Sequence, residues 1–300
     1  MLIFPKKDSF SPEELIRTEE AAYRKQIRLA AKQILGQKVR FVFLAGPSCS
    51  GKSTTAFCLE KALAAEGKRL FTFSTDDFFF DKERAPKNPD GTVNYDAFMH
   101  TDSQLIIETL RSLSQGQKTP LPGYDFLNGK RILCARFILP SDYDVFLLEG
   151  IHALNDVILE GMPKNEPYLC FYLDVTKSVQ SAEGGGIFSP ERIRFCRRLI
   201  RDYKHRGASA DLTEQLWKNV IREEKNILHP FRKNASALLS SSFSYEIAVE
   251  KAEIISLLSP VSEQSPLYPR AIRILEDLCY FPTLSEDLVP VGSVLKEFID

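Results

Sequence analysis

The sequence lacks the cysteine spacing that metal sites and disulfide frameworks use. Its six cysteines are scattered over 300 residues, and no two of them form a Cys-x-x-Cys pair. This pattern favours reduced thiols in a cytosolic protein over zinc ligation or a set of disulfide bridges. We therefore expect a cytoplasmic protein.

Long apolar segments and an excess of one charge are absent as well. No apolar run approaches the roughly 20 residues of a membrane-spanning helix, and the stretch MLIFPKKDSF is too polar for a secretory signal. With 39 basic and 40 acidic residues, the composition gives no general attraction to nucleic acid or to an anionic membrane. We expect a small-molecule partner and neither of those two, and the sequence leaves open whether the protein forms a homo-oligomer.

Alternating apolar runs and amphipathic stretches predict an α/β fold. Buried strands are predicted at Val39–Ala45, Leu70–Thr75, Asp144–Leu148 and Leu169–Val175. Helices are predicted at Pro12–Gln37, Lys52–Glu66, Thr101–Gln115, Leu212–Ile227 and Tyr245–Leu258. Such an order predicts a mostly parallel sheet that is covered by helices on both faces.

The stretch AGPSCSGKSTT lies between a predicted strand and a predicted helix. From Gly46 to Ser53 it fits the G-x-x-x-x-G-K-[ST] pattern of phosphate-binding loops. Glycines let successive N–H groups point at phosphate oxygens, and the helix N-terminus adds partial positive charge. Lys52 is expected to reach the β- and γ-phosphates of a nucleoside triphosphate, and Ser53 is expected to bind Mg²⁺. The predicted nucleotide-binding residues of the loop are Gly46, Ser48, Ser50, Gly51, Lys52, Ser53 and Thr54.

Acidic residues follow two further predicted strands. Asp76 and Asp77 come after LFTFST, and Glu149 ends the run DVFLLE. The carboxyl ends of parallel strands lie at one edge of a sheet, so these acids are expected beside the phosphates. Glu149 is predicted to act on Mg²⁺, and Asp76, rather than Asp77, to accept the proton of an attacking hydroxyl. The alternative for Glu149 is a solvated strand end, and the alternative for Asp76 is a loop or capping acid.

An arginine-rich stretch, SPERIRFCRRLIRDYKHRG, follows the glycines at 184–186. Arg194, Arg197, Arg198 and Arg201 fall at i, i+3, i+4 and i+7, on one face of a predicted helix. Four guanidinium groups on one face repel each other unless an anion lies between them, and a triphosphate is such an anion. We therefore predict a lid that closes over ATP, with a solvated or RNA-binding basic face as the alternative.

The order of the motifs along the chain resembles that of the uridine kinase and phosphoribulokinase group of P-loop kinases. After the phosphate loop come TDDFF, an NPDG…YD segment, PGYDF, LLEGIHALN and RRLIRDYKHRG. Later stretches, TEQLWKNVIREEKNILHPF, SSSFSYEIAV and LVPVGSVLKEFID, are similar to bacterial nucleoside kinases related to uridine kinase. Those relatives often have a TGS-type N-terminal region, which we do not find before the phosphate loop. The resemblance covers roughly Gln33–Asp300.

The resemblance implies roles for individual residues. Asp76 matches the acid that accepts the proton of the ribose 5′-hydroxyl, and Asp96 matches an acid that holds the ribose hydroxyls. Arg198, Arg201 and Arg206 match lid arginines that contact substrate and phosphates, with Arg201 in a catalytic role. The aromatic residues that match the base pocket are Phe79, Tyr124 and Phe126. From the residues alone, Tyr124 and Phe126 fit a place in the core better than one in a pocket, and Asp96 is an ordinary loop acid.

Three positions depart from the uridine–cytidine kinase pattern. Phe79 stands where those kinases have Tyr, and Gly129 and Ala208 stand where they have a base-reading His and Arg. Without those donors the pocket cannot enforce uracil or cytosine, because discrimination depends on polar groups that the wrong base leaves unpaired. A purine nucleoside or another polyol therefore stays open as the acceptor.

The resulting prediction is an ATP- and Mg²⁺-dependent kinase for the 5′-hydroxyl of a nucleoside. Two alternatives stay open, a kinase of another alcohol or sugar phosphate and a non-catalytic nucleotide-binding regulator. The sequence contains no NKxD guanine-reading motif, which weighs against a GTPase-like switch. We predict an N-terminal helix and arm at 1–37, a P-loop kinase domain at 38–258 with a lid at about 184–210, and an extension packed on it at 259–300.

Overall fold

The helices and strands come from a computed structural model, which describes residues 1–6, 9–89 and 91–300. Asp90 of the NPDG motif lies outside these ranges. The strands are β1 Leu2–Phe4, β2 Phe41–Ala45, β3 Leu70–Ser74, β4 Thr119–Asp125, β5 Lys130–Ile138, β6 Val145–Glu149, β7 Tyr168–Asp174, β8 Val179–Ser181, β9 Ile187–Phe188 and β10 Ala237–Ser240. The helices are α1 Pro12–Gln37, α2 Lys52–Ala64, α3 Ser103–Ser114, α4 Asp156–Glu160, α5 Pro190–Arg206, α6 Ala210–Glu223, α7 His229–Phe231, α8 Glu246–Leu258, α9 Tyr268–Leu278 and α10 Lys296–Ile299.

A parallel sheet of five strands forms the centre of the fold, in the order β10-β7-β2-β6-β3. Every residue of β2 and β6 is buried, which explains why FVFLA and VFLLE are continuous apolar runs. One large cluster of buried side chains covers one face of the sheet and a smaller cluster covers the other. The predicted α/β fold with helices on both faces is therefore confirmed, and the carboxyl ends of β2, β3 and β6 share one edge.

The sequence analysis missed an antiparallel hairpin formed by β4 and β5. The first strand, TPLPGYD, contains two prolines and a glycine, residues that weaken a strand assignment. The second strand exposes most of its side chains, so it lacks the alternation of apolar and polar residues that marks a half-buried strand. The edge strand β10 was also missed, since it has only four residues.

The N-terminal helix and the C-terminal segments pack on the same buried cluster as the sheet. Helix α1 begins after Ser11, whose hydroxyl accepts a hydrogen bond from the Glu14 N–H, and it has the predicted bounds. Leu295 and Phe298, near the C-terminus, are fully buried in that cluster. The division of the chain at residues 38 and 259 stays a prediction. In the part of the chain that is described, no helix combines the length and the apolarity that crossing a membrane requires.

Candidate active site

The loop between β2 and α2 depends on two glycines. A Cβ atom added at Gly46 would lie 2.1 Å from the carbonyl oxygen of Leu173, so a side chain there would collide with the backbone of β7. Gly51 precedes α2 with a φ of 87°, in the left-handed region that favours glycine. It brings no side chain to cap the helix, so the first N–H groups of α2 need acceptors from outside the helix.

Two side-chain oxygen atoms that could bind a metal ion, from separate segments of the chain, meet at the start of α2. The Ser53 hydroxyl donates a hydrogen bond of 3.0 Å to Oε1 of Glu149, at the end of β6. The Lys52 ammonium donates to the carbonyl oxygen of Pro47 at 3.2 Å, within the loop. Magnesium prefers oxygen ligands and is often held by one or two carboxylates together with phosphates, so this pair fits it. No group of three or more His, Cys, Asp or Glu side chains that could hold a metal occurs among the described residues.

Burial changes the protonation of Glu149. Desolvation raises the pKa of its carboxyl to about 7, while the charge of Lys52 opposes the rise and that of Asp76 adds to it. These interactions show that Glu149, Lys52 and Asp76 lie within electrostatic reach of one another. The buried carboxyl is therefore unfavourable as an anion until a cation offsets it.

The Glu149→Gln variant is expected to be more stable than the wild type at pH 8 without divalent cations. The folded pKa is about 7 and the ordinary value is 4.5, so the folded protein holds an extra proton between them and loses stability as pH rises through that window. At 1.36 kcal/mol per pKa unit, the gain is on the order of 1–3 kcal/mol. Thermal unfolding at pH 8 and pH 4.5 measures it. The gain should disappear at the lower pH, and an equal gain at both values would contradict the assignment.

A short 3₁₀ turn at Thr75–Phe78 separates the roles of the two adjacent aspartates. The Ser74 hydroxyl accepts a hydrogen bond from the Asp76 N–H at 3.2 Å, and Asp77 Oδ2 accepts one from the Ser74 N–H at 3.3 Å. Asp77 is thereby occupied as a capping acid. Desolvation raises the pKa of Asp76, Lys52 opposes the rise, and Asp96 adds to it. The structure thus places Asp76 within electrostatic reach of the phosphate-loop lysine.

A buried histidine is hydrogen bonded to the backbone of Asp96, the acid that is predicted to bind the ribose hydroxyls. His152 Nε2 donates a hydrogen bond of 2.9 Å to the backbone carbonyl of Asp96. Burial lowers the pKa of His152 to about 4, so the imidazole is neutral at physiological pH. A small cavity beside them connects Asp96 with the phosphate loop. Its lining includes Ser48, Asp96, Ile151, His152, Glu223 and Glu224.

The three predicted pocket aromatics lie together. Phe79 is in edge-to-face contact with Tyr124 at a centroid distance of 5.6 Å, and Tyr124 contacts Phe126 at 5.0 Å. Phe79 also stacks on His100, with centroids 4.9 Å apart and an interplanar angle of 13°. Phe126 remains 63% exposed, so the cluster keeps an open side. The sequence analysis missed His100, because no motif marks it, although it follows the NYDAF segment by two residues.

The arginines of α5 do not all face a ligand. Arg197 has no exposed surface, and its guanidinium forms a two-pronged ion pair with Glu246, in which Nη2 lies 2.8 Å from Oε2. Arg194 pairs in the same way with Glu224, at 2.6 and 2.7 Å. The argument that four unpaired guanidinium groups require a triphosphate was therefore wrong for these two. Carboxylates from distant parts of the chain supply the missing anions.

The three arginines that were predicted as site residues converge on one carboxylate. Asp202 lies 3.1 Å from Arg198 Nε, 2.8 Å from Arg201 Nη2 and 3.5 Å from Arg206 Nη1. Arg198 also donates a hydrogen bond of 3.2 Å to the hydroxyl of Ser48 in the phosphate loop. Three positive groups share one negative group, so this cluster keeps an excess of positive charge beside the loop. Asp202 follows Arg198 by four residues, a helix spacing that could have revealed the pair.

The chain is similar in sequence to known kinases. The model of the phosphoribulokinase / uridine kinase family matches residues 41–183. The uridine kinase of Staphylococcus haemolyticus is 28% identical over 208 residues, which cover 69% of this chain and 90% of that protein. The uridine kinase of Staphylococcus aureus is 28% identical over 219 residues, or 72% and 95%. A solved structure, described as a "possible uridine kinase" from Bacillus stearothermophilus, is 20% identical with a TM-score of 0.49, covering 72% of this chain and 98% of that one.

A phosphate loop between β2 and α2, with one acid at the end of the neighbouring strand β6 and another just past β3, is the arrangement of a P-loop nucleotide-binding protein. Its motifs follow one another in the order that the sequence analysis identified. Over the matched segment, the chain is similar to the uridine kinase/phosphoribulokinase family of P-loop kinases.

Proposed function

We propose that this kinase transfers the γ-phosphate of ATP to the 5′-hydroxyl of a nucleoside and that it uses Mg²⁺. The observation that carries the proposal is the arrangement of two acids at the ends of paired strands. Ser74, the last residue of β3, is in register with Glu149 of β6, and Asp76 follows two residues later. One acid pairs with Ser53, and the other lies within electrostatic reach of Lys52.

Each side chain has a chemical task that its position supports. Lys52 neutralises negative charge on the β- and γ-phosphates, and Asp76 accepts the proton of the attacking hydroxyl. Ser53 and Glu149 would hold Mg²⁺, which offsets the charge that develops on the transferred group. Asp96 is proposed to bind hydroxyl groups of the acceptor. The surplus positive charge around Asp202 would attract the phosphates.

The packing of the turn between β4 and β5 supports weak discrimination between nucleoside bases. Gly129 has a φ of 66°, and a Cβ atom there would lie 2.7 Å from Cβ of Lys82. A histidine at this position, as in uridine–cytidine kinases, would therefore need both a strained backbone and a displaced neighbour. The aromatic cluster of Phe79, Tyr124 and Phe126 can still stack on any base, because stacking depends little on base identity.

A panel of acceptors tests the proposal. Uridine, cytidine, adenosine, guanosine and inosine are compared at equal concentration with ATP and Mg²⁺, and kcat/KM is measured from ADP release. We expect several nucleosides to be accepted, with kcat/KM values within about tenfold of each other, because a pocket without base-reading donors discriminates weakly. Acceptance of uridine alone would contradict the relaxed preference, and acceptance of no nucleoside would contradict the proposed acceptor class.

A phosphorylated acceptor is the second candidate, and one observation favours it. Arg198, Arg201 and Arg206 all lie close enough to Asp96 to influence its pKa, although burial, the largest effect, raises it. The segment DGTVNYDAF around Asp96 contains no lysine or arginine, so this positive charge comes from α5. Ribulose 5-phosphate and other pentose phosphates therefore belong in the same panel, and a preference for them over every nucleoside would support this candidate.

A further inference from the structure

The C-terminal segment Val289–Asp300 lies directly on the phosphate loop. A Cβ atom placed on Gly51 would come within 2.2 Å of Val294 Cγ1, so the valine covers the last glycine of the loop. Three residues further along, Oε2 of Glu297 accepts hydrogen bonds from Thr54, at 2.7 Å from the hydroxyl and 3.4 Å from the backbone nitrogen. A carboxylate from the end of the chain thus reaches the first turn of α2.

That first turn is the part of a P-loop protein that binds phosphate. The Thr54 N–H is among the first four of the helix, which have no partner within the helix. Such groups, with the partial positive charge of the helix end, attract anions, and phosphate-loop proteins use them for the α- and β-phosphates. The Glu297 carboxylate therefore stands where a phosphate oxygen of the nucleotide would bind.

Packing on both sides fixes the position of Glu297. Leu295 and Phe298 are fully buried in the main core, and the guanidinium of Arg197 lies 5.1 Å above the Phe298 ring. The Lys204 ammonium binds the backbone carbonyl of Ile299. With neighbours anchored before and after it, Glu297 is held at the helix end, unlike a free surface side chain.

We propose that Glu297 is a built-in competitor for the donor nucleotide, which weakens nucleotide binding by placing a negative charge at the N-terminus of α2. The inference rests on the proposed function, because it takes the loop to be the ATP site. When a nucleotide enters, its phosphates meet a like charge, and either the carboxylate moves or the affinity falls. The segment then sets how much nucleotide is needed to occupy the site.

The Glu297→Gln variant tests this inference, because glutamine keeps an oxygen acceptor for Thr54 and removes only the charge. The matched control is Glu286→Gln, an exposed acid of the same C-terminal region. Dissociation constants of ADP and of ATP with Mg²⁺ are measured by calorimetry for the wild type and both variants. We expect about tenfold tighter binding by the Glu297 variant, or about 1.4 kcal/mol, and no change in the control.

The outcomes separate this inference from the proposed function. Equal affinities in all three proteins would show that the carboxylate does not compete, while nucleotide binding itself would stand. Weaker binding by the Glu297 variant would overturn the inference in favour of a supporting role for the carboxylate. Absence of nucleotide binding in every protein would remove the proposed function and this inference together, whereas binding by the variant alone would support the inference.

Discussion

Replacing Asp76 by asparagine is expected to reduce turnover by roughly 10²–10⁴-fold, the usual contribution of a general base. Asparagine has nearly the same size and can keep the hydrogen bond from its own N–H to the Ser74 hydroxyl, so the turn after β3 should persist. It cannot accept the proton of the attacking hydroxyl. Steady-state ADP release with a saturating acceptor gives the turnover, and calorimetry gives the affinity for ATP, which should change by less than about threefold.

The neighbouring Asp77→Asn variant is the matched control for this experiment. Asp77 acts as a capping acid toward the Ser74 N–H, and its side chain is 3.7 Å from Arg136. Asparagine keeps an oxygen acceptor for the Ser74 N–H, so the variant should stay within about 1 kcal/mol of wild-type stability and leave turnover within a few-fold of the wild type. If the Asp77 variant lost turnover and the Asp76 variant kept it, the assignment of the base would be reversed.

The Arg197→Met variant is expected to lower the free energy of unfolding by about 3–5 kcal/mol, because it leaves Glu246 buried without its partner. Both side chains are wholly inaccessible to solvent, so no water can replace the guanidinium. The same arginine also donates to the backbone carbonyl of Ser241 at 2.7 Å, which joins α5 to the segment after β10. Urea unfolding measures the loss.

Two further variants distinguish a structural role for Arg197 from a role in phosphate binding. Arg206→Met removes a half-exposed arginine of the same helix and should cost no more than about 1 kcal/mol. The double variant Arg197→Met, Glu246→Leu should recover most of the stability, since an apolar pair can replace a buried ion pair. A stable Arg197 variant that fails to bind ATP would contradict the structural role.

The site was predictable wherever a local pattern has a direct structural meaning. The Gly46–Ser53 loop could be located because its glycines, lysine and hydroxyls lie within eight residues, between an apolar run and a helical pattern. Asp76 and Glu149 could be placed near it because parallel strands end at one edge of the sheet. Their proposed catalytic roles stay predictions, as does the movement of a lid over the site.

The partners of the arginines could not be predicted in the same way. The helical spacing correctly placed Arg194 and Arg197 on one face, but it does not say which group faces them. Glu224 and Glu246 lie 30 and 49 residues further along the chain, and nothing local links them to these arginines. The sequence analysis therefore assigned to a ligand the anions that the protein itself provides.

The sequence by itself determined the layered α/β fold, the phosphate loop and the acids at the strand ends, because apolar periodicity and loop composition act over a few neighbouring residues. Only the tertiary structure decided which charges neutralise each other and which group covers the loop. Thr54 and Glu297 are 243 residues apart, and only the packing of the C-terminal segment on the core brings them together. Such a contact depends on the folding of the whole chain, so no short motif can encode it.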